Sequence, residues 1–76
     1  MESYNGHRSW AAWNVSLWLN NDEGLYRDMR YCIKVSVSRK RAAGLMLHML
    51  KEVGQQCTPD GARYTVTSIM EAMRGL

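Results

Sequence analysis

The sequence predicts an all-α fold, a single small domain of about four short helices spanning residues 1–76. Three observations carry that prediction. Apolar residues recur at helical spacing in four separate segments, and each segment opens at a good N-cap residue. Strand-like alternation is confined to two four-residue stretches, "VSVS" (35–38) and "YTVT" (64–67). Those stretches leave an α+β alternative in which they pair as a short ribbon. A lone two-stranded ribbon is marginal in water, so the helical reading is preferred.

The first helix runs from an N-cap at Ser9 to about Asn20. Trp10, Trp13 and Leu17, with Val15, Trp18 and Leu19 one step round, make a broad apolar surface, which Asn14 interrupts on the Trp10–Leu17 side. A domain this small does not readily bury three tryptophans. Trp13 and one of Trp10 and Trp18 are therefore expected in the core, and the other at a partner surface, where tryptophan is enriched. "NNDE" is a stop followed by a start, with Asn21 or Asp22 capping a second helix whose Leu25, Met29, Cys32 and Ile33 face inward. Gly24, unfavourable inside a helix, suggests close packing or a tight corner there. Arg27, Arg30 and Lys34 share the outer side of this helix.

Ser38 caps a third helix that Gly54 ends in a left-handed conformation, with a stripe of Ala42, Leu45, Met46, Met49, Leu50 and Val53. "TPDG" (58–61) is a turn with proline second and glycine fourth. Thr65 or Thr67 then caps a short last helix with Ile69, Met70 and Met73 inward, ended by Gly75. The expected centre is Trp13, Leu17, Leu25, Met29, Leu45, Met49, Ile69 and Met73.

Composition narrows the function classes. Cys32 and Cys57 stand alone, without a CxxC pair or a histidine at metal spacing, and read as free thiols in a reducing cytosol. No apolar run approaches a membrane span and the N-terminus has no apolar signal core, so a cytoplasmic location is expected. His7 and His48 are far apart, with no nucleophile or metal partner at a suitable spacing; His48 reads as a core-edge residue. Asp22 and Glu23 are adjacent, diverge on a helix and read as caps. No phosphate loop, GxSxG or HExxH is present. A non-enzyme without cofactor or metal is expected.

Charge is the strongest physical signal. Between Arg27 and Arg41 six basic residues accompany one acid, Asp28, a local +5 in a chain of net +3. Arg39, Lys40 and Arg41 occupy the first turn of the third helix, where the helix dipole penalises cations. Candidate partner-binding residues are therefore Arg27, Arg30, Lys34, Arg39, Lys40 and Arg41, together with Trp10 and Trp18. An acidic protein surface and nucleic-acid phosphates both fit. No lysine or arginine lies between Trp10 and Trp18, as a base-stacking platform would need, and no base-reading helix pattern is present. Nucleic-acid binding would thus be directed at the backbone.

The stretches Tyr4-Asn5-Gly6, Ala12-Trp13-Asn14-Val15, Leu17-Trp18 and Asn21-Asp22-Glu23-Gly24-Leu25-Tyr26 resemble a family of small proteins from phages, plasmids and their bacterial hosts. Thr58 to Thr67, "TPDGARYTVT", is similar to that family's C-terminal turn. The resemblance covers the first third strongly, the last quarter loosely and the middle hardly at all. It implies a context rather than a chemistry: short accessory proteins of mobile elements commonly bind a host defence or regulatory machine, as anti-CRISPR proteins do. Many anti-CRISPR proteins are acidic mimics of DNA, whereas this chain is basic. The resemblance therefore implies an inhibitor that covers an acidic surface of a CRISPR effector complex or blocks recruitment of a subunit. The alternative is a small basic nucleic-acid-binding accessory protein.

Overall fold

A computed structural model describes residues 9–76. Tyr4-Asn5-Gly6 and His7 lie outside the described residues. Within them four helices form, α1 (Trp10–Asn21), α2 (Glu23–Val35), α3 (Arg39–Glu52) and α4 (Val66–Ala72). The all-α expectation holds. "VSVS" ends α2 and enters the next cap, "YTVT" leads into α4, and the only β feature among the described residues is a single bridge between Cys57 and Arg63. No helix among them is long and apolar enough to cross a membrane.

Local chemistry sets the boundaries. Ser9, Asp22, Ser38 and Thr65 each accept a hydrogen bond from a first-turn backbone amide through the side chain. Thr65 and Ser68 form a reciprocal capping box, which supports a last helix of only seven residues. After α3, the Gln55 amide donates to the Leu50 carbonyl and the Gly54 amide to that of Lys51, closing a Schellman turn with Gly54 at φ 77°. Gly24 does not mark close packing. A methyl group there would meet only the Asp22 carboxylate, at 3.5 Å.

The helices close a ring. α1 packs on α4 and α2, and α3 packs on α2 and α4, while the backbones of neither diagonal pair come within 8 Å, Cα to Cα. At the centre Val15, Leu19, Met29, Cys32, Met46, Ile69 and Met73 are fully buried. Ala12, Ala42, Ala43, Ala62 and Ala72 fill the remaining contacts, and side chains this small let helix axes approach closely. The Cys32 thiol lies 3.5 Å from the Met49 sulfur, and burial, then the Asp28 carboxylate, push its pKa up.

Five expectations about the core and its edge are corrected. Trp13 is only half-buried and Leu17 is 38% exposed, because α1 turns its Ala12–Val15–Leu19 side to α4 and α2. Val53 is 68% exposed, since α3 ends at Glu52 and its stripe does not continue into the turn. Met70 is exposed, as the short α4 buries only its Ile69–Ala72–Met73 side. His48 is not a core-edge residue but lies open on α3, 3.8 Å from Glu52 one turn on.

Candidate partner-binding surfaces

α1 is apolar on two opposite sides. Its buried side is made of small and medium residues, and its outer side presents Trp10 and Leu17 at i, i+7 with the half-buried Trp13 between them. Trp10 is 41% exposed. A helix apolar all round is ordinarily enclosed on all sides. Here one side is left to the surface.

Trp18 has a different role from Trp10. Its indole N–H donates to Asp60 Oδ2 at 2.9 Å, and Asn14 Nδ2 donates to the same oxygen at 2.9 Å. Asn14 Oδ1 in turn accepts from the Thr58 hydroxyl at 2.6 Å, and Thr58 Oγ1 accepts from the Ala62 amide at 3.0 Å. Asn14 and Thr58 are both buried. This network latches the "TPDG" turn onto α1, with the turn closed by the Gly61 amide on the Thr58 carbonyl and Gly61 at φ 95°. The bonds from Asn14 and then Trp18 hold the Asp60 carboxyl below its ordinary value, against a smaller opposing effect of burial. The two stretches that carry the sequence resemblance meet at this latch.

The basic residues divide into three groups. Arg27, Arg30 and Lys34 are exposed along one flank of α2, where Arg30 stacks over the Tyr26 ring at 5.8 Å and donates to its hydroxyl at 3.1 Å. Lys40 and Arg41 are exposed at the start of α3 and, with Arg27 and Lys34, are in no ion pair among the described residues. Arg39 is separated from them. Its guanidinium donates to the Met73 carbonyl and to the backbone oxygen of Leu76, beyond the C-terminal end of α4. Asn20 of α1 reaches the Ala72 carbonyl at 3.2 Å from the other side. A cation at a helix C-terminus is favoured by the dipole and satisfies carbonyls that have no intrahelical partner. The charge that looks misplaced at the start of α3 serves the end of α4, while Arg39 itself stays exposed.

Sequence reasoning did not single out an open cleft of about 760 Å³ between α2, α3 and the loop before α4. Leu25, Met46, Met49 and Leu50 are among its apolar lining, Trp18, Pro59 and Tyr64 add ring surface, and Asp22, Asp28 and Glu52 supply its charge. Burial, then the charges of Asp22 and Cys57, push the Tyr64 phenol up.

The described residues of this small all-α domain thus carry a partly exposed apolar side on α1, a basic flank on α2 and an open cleft. Over residues 1–75 the chain matches, and belongs to, DUF7249, a family of unknown function. No curated protein and no solved structure matches it.

Proposed function

We propose that this protein acts by stoichiometric docking on a partner protein rather than by catalysis, and that it is an anti-CRISPR protein that sterically inhibits a host CRISPR effector complex. The observation that carries the docking reading is the outer face of α1, where Trp10 is 41% and Leu17 38% exposed. Tryptophan in such a position is characteristic of interface anchors. Arg27, Lys34, Lys40 and Arg41, unpaired among the described residues, favour an acidic surface on the partner. The effector as target rests on the resemblance to proteins of mobile elements. Expression in a CRISPR-active host tests it: transformation of a targeted plasmid should recover, and Trp10→Ser/Leu17→Ser should abolish the recovery while the protein accumulates normally. Unchanged interference with the wild-type protein present refutes the inhibitor reading.

The alignment of Arg27, Arg30 and Lys34 on one helix flank favours a second reading, binding to a nucleic-acid backbone. With Arg39 engaged at α4, five cations remain, and contact with as many phosphates gives a log–log salt slope of about −4.5 on duplex DNA. Negligible DNA binding near about 150 mM salt favours the protein-directed reading.

A further inference from the structure

We infer that the cleft between α2 and α3 is a second docking site, separate from the outer face of α1, and that it takes a basic amphipathic helix of a partner protein. Met49, half-buried, is in its lining over the buried Met46, and methionine repacks around varied apolar side chains. Val53, 68% exposed, stands at its edge as unburied apolar surface.

Charge complementarity selects the occupant. Among the described residues, every charged side chain lining the cleft, Asp22, Asp28 and Glu52, is acidic, and no lysine, arginine or histidine lines it, on a chain whose net charge is +3. Of the charged residues of α2, Asp28 lines the cleft, and Glu23, Arg27, Arg30 and Lys34 lie outside its lining. An acidic or neutral helix gains nothing from that rim, whereas lysines flanking an apolar stripe meet it directly. A groove walled by two helices suits a third helix laid apolar face down. A second copy of this basic chain is the competing occupant, and it places like charges against like outside the cleft.

Cys57 supplies a reporter. It lines the cleft and is exposed, whereas Cys32 is buried and stays silent to a thiol reagent. The experiment uses the full chain and a synthetic leucine–lysine peptide of about 15 residues patterned as an amphipathic helix. The peptide should bind by fluorescence anisotropy, slow the modification of Cys57, and weaken as salt rises. A leucine–glutamate peptide of the same pattern, and a scrambled leucine–lysine peptide, should bind at least about tenfold more weakly.

Asp28→Lys/Glu52→Lys should lose about tenfold in affinity, since two attractions become repulsions. It leaves the Asp22 cap in place and puts a cation at the end of α3, where the dipole favours one. If that variant does not fold, Asp28→Asn/Glu52→Gln should still lose about threefold. Trp10→Ser/Leu17→Ser should bind the peptide as wild type does, which separates failure of this site from failure of the α1 face. Equal binding of the acidic peptide, full affinity in the folded charge variants, or binding that leaves Cys57 reactive each overturns the inference. So does protection of Cys57 that grows with protein concentration alone beside a dimer in sedimentation, which assigns the cleft to a second copy.

Discussion

Asn14→Ala tests the latch that joins the "TPDG" turn to α1. Asn14 is 2% exposed and holds two partners, the Asp60 carboxylate and the Thr58 hydroxyl. The Asp60 end is open to solvent, so water replaces that bond and little is lost there. The Thr58 end decides the magnitude. Its hydroxyl is buried, and without Asn14 Oδ1 its proton has no acceptor, although the oxygen still accepts from the Ala62 amide. A lost hydrogen bond of about 1 kcal/mol and an unpaired buried donor together give about 2–3 kcal/mol. A domain of this size has roughly 4–11 kcal/mol in all. The melting temperature should fall by about 10–20 °C, read by circular dichroism. Thr58→Ala made in the Asn14→Ala background should then cost about 1 kcal/mol less than in wild type, because the pair is already broken. A loss under about 0.5 kcal/mol for Asn14→Ala, or strict additivity of the two substitutions, refutes the reasoning.

Three further outcomes follow from the same contacts. Trp10→Ser/Leu17→Ser, at positions 41% and 38% exposed, should cost about 1–3 kcal/mol in a urea melt and leave the domain folded, while partner binding is lost. Arg39→Gln should destabilise by about 1 kcal/mol through the lost charged hydrogen bonds to the segment after α4, whereas Lys40→Gln should be neutral by the same melt. The lowered folded-state pKa of Asp60 means its stabilisation is present above the ordinary carboxylate range and lost as pH falls through the folded value. Asp60→Asn should therefore flatten that part of an acid titration of melting temperature, and an unchanged profile would exclude Asp60 as its source.

Local features of the fold were legible because their causes are local. Ser9, Asp22, Ser38 and Thr65 cap helices through side chains three residues from their amide partners, and Gly54, Gly61 and Gly75 have the positive φ that favours glycine. The orientation of α1 was not legible. Large apolar residues lie almost all round that helix, so periodicity does not pick a side, and volume alone points to the tryptophans. Asn14, read as an interruption of the apolar surface, is instead buried against partners 44 and 46 residues away. No helical spacing reveals such a pairing. The cleft was hidden for the same reason, since Trp18, Asp28, Glu52 and Cys57 converge only after folding. One signal was available: both stretches of the resemblance carry polar residues that need a buried partner, Asn14 in one and Thr58 in the other.

Stability accounts for some of the unusual residues and leaves others unexplained, and that division points to function. Arg39 is accounted for, because its position at the start of α3 is offset by the backbone oxygens it binds beyond α4. Trp18 is accounted for by its bond to Asp60. Lys40 and Arg41 face the same unfavourable dipole as Arg39, and among the described residues no carboxylate compensates them. Trp10 and Leu17 leave apolar surface in water on a helix whose Ala12, Val15 and Leu19 already supply its packing. A contiguous apolar patch of that kind is an aggregation liability unless something covers it. These four residues, rather than the full basic run and all three tryptophans, are where an unmet requirement of the free chain and the requirement of a partner coincide.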